Sequence, residues 1–402
     1  MFQMRFCLPG IPHMHHNPLR RWSLMIAHPR PLIEVFAAIP DFRKPRGKRH
    51  PLTAIFALAC CAMLCGYRSY SAMAEWGRNY GARLAQALGF THDTPCAATL
   101  HTIFRCVNRD EFEAHLGAWA DSVVGSLPAA PETPEVAIAL DGKTLRGSKK
   151  QGAPGTHLLS ALAHHVGVTL AQQAVDDKTN EITAVETLLC QLVLEGRMVT
   201  MDALLTQRHV AQTIVDKGGD YVMIVKDNQP QLRADIELVF ALPPMGDRQE
   251  TARTVDIGHG RIEQRNITTS EALVGYSDWP GLAQVFELGR YVITQKTTEE
   301  RVEVVYGVTS LSPERGTPKR LLELVRGHWQ IENKSHWVRD VTFDEDRSQV
   351  RCGNIPQVMA ALRNTTIGLL RGAGYSNIAA ACRRFAAQPD LALTLIGIKL
   401  EN

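Results

Sequence analysis

The run Glu135-Val-Ala-Ile-Ala-Leu-Asp-Gly-Lys143 is the stretch that decides the fold. Its five consecutive apolar residues predict a strand that is buried on both faces, as in a sheet covered by helices. The run ends in Asp141, and the carboxyl ends of strands are where α/β sheets place their chemistry. The sequence therefore predicts a buried strand that delivers a carboxylate to a functional edge of the sheet.

Two later strands repeat this pattern. The strand over residues 196–201 ends in Asp202, and the strand Tyr221–Val225 ends in Lys226 and Asn228. Strands that alternate with helical patterns predict an α/β fold with a mixed sheet. An alternative remains open for each polar residue, because Asp or Asn after a strand is often only a turn former or a helix cap.

A third stretch, Arg326-Gly-His-Trp-Gln-Ile-Glu-Asn-Lys-Ser-His-Trp-Val-Arg-Asp340, contains no proline and predicts a helix. Residues four apart share one face of a helix, so the stretch predicts a polar stripe beside two tryptophans. The stripe comprises His328, Glu332, His336 and Asp340. Charged groups on a partly buried helix are costly unless they are paired or bind a metal. A solvated helix face with ion pairs between residues four apart is the alternative.

The three acids Asp141, Asp202 and Glu332 suggest one shared site. Mg²⁺ binds proteins through one or two carboxylates together with substrate phosphate. Two such ions, about 4 Å apart, activate the attacking oxygen and stabilise the leaving oxygen of a phosphoryl displacement. We therefore predict two Mg²⁺ ions, for which Mn²⁺ can substitute. Asp141 bridges both ions, and each of the other two acids holds one.

The charge of the 402-residue chain is unevenly distributed. Residues 1–50 hold nine Lys and Arg against two acids, a surplus of seven, so a net charge of +3 leaves the remainder at about −4. A basic arm on a slightly acidic body indicates a polyanion partner, and a solubilising tail is the alternative. Arg46, Lys48 and Arg49, in a loop broken by Gly and Pro, are the candidate contacts in this arm.

The cysteine pattern and the longest apolar run indicate a cytoplasmic protein. Nine scattered cysteines, an odd number in a long chain, are typical of a reducing compartment. The apolar run from Leu52 to Cys65 spans 14 residues, fewer than the roughly 17–25 that a membrane span needs. We therefore expect a cytoplasmic protein with no membrane partner.

The sequence also predicts the domain boundaries. Residues 1–30 are expected to be disordered or to precede the true start. Residues 31–127 are expected to form a helical, DNA-binding domain that includes Arg105. The alternative is that these helices only pack on the next domain. A linker (128–134) follows, then a catalytic domain (135–242 and 320–385) interrupted by a β-rich insertion of short strands (243–319) and followed by a tail (386–402).

Five motifs carry a resemblance to a known family. They are Asp141-Gly-Lys-Thr-Leu-Arg-Gly-Ser148, Val199-Thr-Met-Asp-Ala203, Val225-Lys-Asp-Asn-Gln229, His259-Gly-Arg-Ile-Glu263 and His328-Trp-Gln-Ile-Glu-Asn-Lys-Ser-His-Trp337. In this order, over residues 31–385, they resemble the ISAs-type (H-repeat-associated) DDE transposases of bacterial insertion sequences. The resemblance implies an RNase H-like core, cutting and joining of element ends, and an acidic triad of Asp141, Asp202 and Glu332.

The chain departs from the broader signature Tyr-x2-Arg-x3-Glu-x6-Lys of related insertion sequences. Val325, His328, Glu332 and Arg339 stand at those four positions. The glutamate is kept and a base replaces the lysine, whereas the tyrosine is lost and histidine replaces arginine. Details of how other groups hold a flipped base or a hairpin end therefore do not transfer to this chain.

Further DNA contacts are predicted around these motifs. The candidates are Lys143, Arg146, Lys226, Asn228, Arg261, Arg265, His328, Trp329 and Arg339. For the two arginines that flank Glu263, a structural ion pair is the alternative to a phosphate contact. For Trp329 and Trp337, core packing is favoured over stacking on an unpaired base.

The predicted function is a DNA transposase that cleaves insertion-sequence ends and transfers the freed 3′-OH into target DNA. Its partners are double-stranded DNA, both terminal inverted repeats and target, and a second copy in a homodimeric complex at the bacterial nucleoid. One alternative is a catalytically inactive or domesticated DNA-binding protein. Another is a zinc hydrolase built on His328, Glu332 and His336, although the spacing His-x3-Glu-x3-His differs from that of the known zinc motifs.

Overall fold

A computed structural model describes residues 29–127, 135–149, 154–175, 181–258, 260–294, 296 and 299–400. The predicted N-terminal segment up to residue 28 and the predicted linker 128–134 lie outside the described residues, as does His259.

The first part of the chain is helical, as the sequence predicted. Its helices are α1 (Leu32–Ala38), α2 (Leu52–Leu64), α3 (Tyr70–Asn79), α4 (Gly81–Ala87), α5 (Ala97–Cys106) and α6 (Arg109–Ser126). Helix α2 is apolar on every side, and all its residues except Thr53 are buried. The other helices surround α2, which explains the uninterrupted apolar run in its sequence.

One nine-stranded sheet forms the second part. Its strands are β1 (Ala137–Thr144), β2 (His157–Ala163), β3 (Val168–Val175), β4 (Met198–Met201), β5 (Asp220–Val225), β6 (Glu250–Gly258), β7 (Arg261–Ser270), β8 (Gln284–Thr294) and β9 (Glu300–Thr309). Their order is β3-β2-β1-β4-β5-β9-β8-β7-β6. Strands β1, β4 and β5 are parallel, and the other neighbours are antiparallel. The protein is an α/β protein with a large mixed sheet.

The β-rich segment continues this sheet. Strand β9 pairs with β5, so the four strands β6–β9 extend the sheet from its core edge. These strands have 9–11 residues, longer than the short runs predicted, because each pairs with a neighbour along most of its length. The segment shares one sheet with strands β1–β5.

Eight more helices complete the fold. They are α7 (Glu181–Cys190), α8 (Arg208–Asp216), α9 (Pro230–Ala241), α10 (Pro318–His328), α11 (Trp337–Val341), α12 (Ile355–Gly372), α13 (Ile378–Ala387) and α14 (Asp390–Ile396). Helix α10 crosses the sheet and packs its leucines on strands of both the core and the insertion. Helix α12 contacts α2, α6 and β3, and α13 and α14 contact α2. The segment predicted as a tail therefore contains a packed helix.

None of the helices in the described residues combines the length and the apolar character that a bilayer crossing requires.

Candidate active site

Two of the predicted acids occupy neighbouring positions on parallel strands. Leu140 of β1 lies beside Met201 of β4, and Asp141 and Asp202 follow them directly. Each carboxylate accepts a hydrogen bond from the next backbone N–H, at 2.8 Å for Asp141 and 2.7 Å for Asp202. One expectation is corrected. Strand β1 does not end at Asp141 but runs on to Thr144, because its other edge pairs with β2.

The segment that carries Glu332 differs from the single helix predicted. Helix α10 ends at His328, a turn follows at Trp329, and residues Glu332–His336 form a π-helix before α11. The N–H of Trp337 donates to the carbonyl of Glu332, five residues back. π-Helical turns are rare and occur frequently at functional sites.

This turn brings three ligand-type side chains together. Atoms of Asp141, Glu332 and His336 lie within 4.8 Å of one another. His336 Nδ1 is 3.6 Å from Asp141 Oδ2 and 3.6 Å from Glu332 Oε2. His336 is only 4% exposed. The sequence indicated His336 by its spacing of four from Glu332, yet assigned it no place in the acidic site.

Asp202 occupies a more open position. Its carboxylate is half exposed, and its Oδ1 lies 3.6 Å from Nζ of Lys226. Asn228 donates from Nδ2 to the carbonyls of Ala203 (2.6 Å) and Thr206 (3.2 Å), which holds the loop after Asp202. Asn228 thus has a structural role beside the site. The sequence had instead predicted that Asn228 contacts DNA.

His328 lies behind the two aspartates. Its Nδ1 is 3.2 Å from the Thr200 hydroxyl, which is in turn 2.9 Å from Nε2 of His164. Burial lowers the pKa of His328, although the charges of Asp141 and Asp202 act in the opposite direction. His328 is not part of the group formed by Asp141, Glu332 and His336, so the ligand set of the zinc alternative is not assembled.

The two grouped acids have opposite electrostatic environments. Burial raises the pKa of Asp141, with the charge of His336 opposing this effect. Interaction with the His336 side chain lowers the pKa of Glu332. A cation near both would offset the burial cost of ionised Asp141.

Two predicted DNA contacts are corrected by their burial. Lys143 is 9% exposed, and its Nζ lies 2.8 Å from Asp340 and 3.4 Å from Asp346. Arg339 is fully buried, 2.8 Å from Glu345. Lys143 is thus paired with two partly exposed acids, whereas Arg339 lies below the surface, where a phosphate cannot reach it.

The arginines of the β-rich segment are partly engaged in ion pairs. Arg265 lies 2.7 Å from both Asp256 and Glu263, so the structural alternative holds for it. Arg290 also pairs with Glu263. Arg261 is exposed, with its nearest acid, Glu263, at 4.0 Å.

The remaining candidates lie at the surface. Trp329 is 62% exposed and Trp337 58%, so core packing is wrong for both. The exposed basic candidates are Arg46, Lys48, Arg49, Arg105, Arg146 and Lys226.

Comparison with known proteins identifies the family. A model described as "Transposase DDE domain" matches residues 132–369, and one described as "DDE_Tnp_1-associated" matches residues 33–120. The chain belongs to the DDE transposase family. This transposase is 29% identical to the H repeat-associated putative transposase YhhI of Escherichia coli over 348 residues, 84% of this chain and 90% of the relative. It is 30% identical to the putative transposase YncI of Escherichia coli O157:H7 over 350 residues, 85% and 87% of the two chains.

A solved structure also aligns with this transposase. It is a cryo-EM structure of the piggyBac transposase synaptic complex with hairpin DNA, at 11% identity and a TM-score of 0.42, over 96% of this chain and 82% of that one.

Proposed function

We propose that this transposase hydrolyses a phosphodiester at each insertion-sequence end and joins the freed 3′-OH to target DNA in one site. The site is built from Asp141, Asp202 and Glu332. The observation that carries this proposal is that atoms of Asp141 and Glu332 lie within 4.8 Å of each other, although the two residues are 191 positions apart in the chain. Asp202 follows the strand next to that of Asp141 and completes the proposed triad. Acids that meet from distant segments are costly unless a nearby charge balances them.

The strand order supports an RNase H-like core. Strands β3, β2 and β1 are antiparallel neighbours, and β4 and β5 continue from β1 in parallel. Asp141 lies on the central strand of these five. The helical residues 31–127 and the inserted strands β6–β9 are additions around this core.

The residues present fit divalent cations. Mg²⁺, or Mn²⁺ in its place, requires oxygen ligands, and the site offers carboxylates with one buried ring nitrogen beside them. Two bound ions supply activation of the attacking oxygen and stabilisation of the leaving oxygen. The chain itself fixes the carboxylates, because backbone N–H groups donate to Asp141 and Asp202. His328 is near enough for the charges of both acids to act on its pKa.

The DNA path leads from this site over α10 and the inserted strands. Arg326, near the end of α10, lies 3.0 Å from Asp256 of β6. Asp256 in turn pairs with Arg265 of β7, so Arg261 and Arg265 lie on the sheet face that α10 covers. The exposed rings of Trp329 and Trp337 flank Glu332 and can stack on an unpaired base.

A second basic flank borders the site. Arg351 donates to the carbonyl of Gly147, and Arg105 contacts the backbone region of Gly353. The segment 351–353 thus lies between helix α5 and the loop that follows β1, which also carries the exposed Arg146. A second copy of the chain, on the other element end, completes the proposed homodimeric complex in the bacterial nucleoid.

The substitution Asp141→Asn tests this proposal. It keeps the shape and removes the charge, so metal-dependent nicking of an end-containing duplex is expected to disappear while DNA binding persists. Nicking with and without EDTA and gel-shift binding are the measurements. Asp227→Asn is the matched control, because Asp227 is exposed and pairs with Arg233; its nicking rate should be unchanged. Retained nicking in Asp141→Asn contradicts the triad. Absence of nicking in the unaltered protein, despite DNA binding, favours the inactive DNA-binding alternative.

A further inference from the structure

We propose that His336 is a protein ligand of the cation shared by Asp141 and Glu332, and that its nitrogen makes this position selective for Mn²⁺ over Mg²⁺. The proposal rests on the metal site of the proposed function and adds to it a nitrogen ligand outside the acidic triad.

The distances fit a common ion. His336 Nδ1 lies 3.6 Å from one oxygen of each acid, beyond a hydrogen bond to either. Metal–ligand bonds of about 2.0–2.3 Å place neighbouring ligand atoms of one ion roughly 3 Å apart. All three side chains offer atoms within 4.8 Å of one another. A small inward movement of these atoms is enough for shared coordination.

The ring of His336 is buried and presents one nitrogen to the two acids. His336 is 4% exposed, and its Nδ1 lies 3.6 Å from an oxygen of Asp141 and of Glu332. Its other nitrogen, Nε2, has no hydrogen-bond partner among the described residues. A buried nitrogen that faces two carboxylates in this way is suited to share a cation with them.

The π-helical turn is held in place on both sides. Lys334 donates from Nζ to the carbonyl of His164 at 2.8 Å, and Arg371 donates to the carbonyl of Lys334. Ile331 packs on Ala139 and Leu162 of the sheet. The ring of His336 is therefore presented to the acids by a fixed backbone, which lowers the entropy cost of coordination.

Ligand chemistry gives the selectivity. Mg²⁺ prefers oxygen ligands in near-ideal octahedral geometry and loses its waters reluctantly. Mn²⁺ shares the preference for oxygen but stands with the transition metals, which bind imidazole more readily. One buried nitrogen among carboxylates therefore favours Mn²⁺.

Pulsed EPR of the Mn²⁺-loaded full-length protein, without DNA, tests the assignment. We expect modulation from a directly bound ¹⁴N in the unaltered protein and its loss in His336→Gln, in which an amide oxygen can replace the ring. His328→Gln is the matched control, because His328 is close to the same acids but bonds to Thr200; it should retain the nitrogen signal. Circular dichroism and the thermal midpoint verify that each variant is folded.

The outcomes separate this inference from the proposed function. Mn²⁺ bound without nitrogen modulation, or modulation that persists in His336→Gln, overturns the His336 assignment and leaves the acidic site intact. If Asp141→Asn does not weaken Mn²⁺ binding, the site itself is wrong.

A titration of both metals gives an independent measure. In His336→Gln we expect Mn²⁺ affinity to fall on the order of tenfold, as for lost contacts at other metal centres, with Mg²⁺ affinity nearly unchanged. Equal losses for both metals contradict the selectivity.

Discussion

Glu113 carries a carboxyl group that the fold partly shields from water. It lies on α6 and accepts a hydrogen bond of 2.6 Å from Nε2 of Gln172 on β3. Gln172 is also bound to the carbonyl of Gln357 and to Asn364, both on α12. Burial raises the pKa of Glu113 from 4.5 to about 7, against the opposing effect of Gln172. The three elements therefore meet around a carboxyl group that is protonated at mildly acidic pH.

This raised pKa predicts a pH-dependent stability. Between pH 4.5 and about 7 the folded protein holds a proton that the unfolded chain has lost, so the free energy of unfolding falls as pH rises through this window. The loss is at most roughly 3.5 kcal/mol, since one pKa unit corresponds to about 1.4 kcal/mol. Glu113→Gln should remove this dependence and raise the stability at pH 8, measured by urea unfolding.

Glu111→Gln is the control, because Glu111 is exposed on the same helix. It should follow the pH profile of the unaltered protein. A steep decline between pH 4.5 and 7 in Glu113→Gln would assign the effect to other groups.

Single residues differ in how far the sequence predicts them. Asp141 and Asp202 were identifiable because each follows an apolar strand, and parallel strands bring such positions together. The burial of Lys143 and Arg339 was not identifiable from the sequence. It depends on Asp340, Asp346 and Glu345, which fold back onto the two cations. A charged side chain in a motif gives no sign of whether its partner is DNA or a later carboxylate.

At the scale of elements, two short turns hold the region behind the site. Residues Arg146–Ser148 and Glu345–Arg347 are 3-10 turns in mutual contact. The side chain of Glu345, in the second turn, is buried between two arginines. Its carboxylate oxygens lie 2.8 Å from Arg339 and 2.9 Å from Arg363. Burial opposes ionisation of Glu345, but the two arginines outweigh it and lower its pKa. A charged, buried layer thus connects the loop after β1 to α11 and α12.

Gly147 is the point of closest approach between these turns. A Cβ at this position would lie 2.1 Å from the carbonyl oxygen of Ser348, a backbone atom that cannot easily move. Gly147→Ala is expected to destabilise the protein by about 1–3 kcal/mol, as overpacking does elsewhere, and to lower DNA nicking. Urea unfolding and the nicking rate measure the two effects.

Gly125→Ala provides the comparison. Gly125 is near the end of α6, with nothing within 4 Å of its added Cβ. The change should be neutral or stabilise by up to about 1 kcal/mol. Equal effects at both glycines would remove the packing explanation for Gly147.

The helical spacing of residues 326–340 did not predict the irregular turn at Glu332. The sequence 326–340 has helical spacing throughout and no proline or interior glycine near Glu332 that would predict a break. The π-helix instead accompanies tertiary packing, in which Ile331 and Val338 are both buried while Trp329 and Trp337 are exposed. Periodicity predicts a helix here but not the extra residue in one of its turns.

For the whole molecule, the shared sheet determines the shape of the DNA surface. Strands β6–β9 continue the core sheet, and α10 lies across both parts. The alternation of strand and helix predicted the mixed core, and the short polar runs predicted more strands. Their membership in one sheet was not predictable, because pairing of β5 with β9 joins residues about 85 positions apart.

The two faces of the sheet formed by strands β6–β9 are expected to differ in DNA binding. Arg261 lies on the face that α10 covers, whereas Arg253 pairs opposite Asn266 and points from the other face. Arg261→Ala should weaken binding of end DNA and reduce the slope of log affinity against log salt by about 0.9, the value for one phosphate contact. Fluorescence anisotropy between 50 and 200 mM salt measures both.

Arg253→Ala removes an equally exposed arginine and should leave affinity and slope unchanged. A larger effect at Arg253 than at Arg261 would move the DNA path to the opposite face of the sheet.

The exposed tryptophans beside Glu332 provide an intrinsic fluorescence signal from this surface. Of the five tryptophans in the described residues, Trp76, Trp119 and Trp279 are buried, and only Trp329 and Trp337 are open to solvent. Trp22 lies outside the described residues, so it is replaced by phenylalanine for this measurement. In Trp22→Phe, a collisional quencher such as iodide will reduce mainly the emission that arises next to the proposed chemistry. Protection from iodide on adding DNA would report occupancy of that surface in real time, with no label attached.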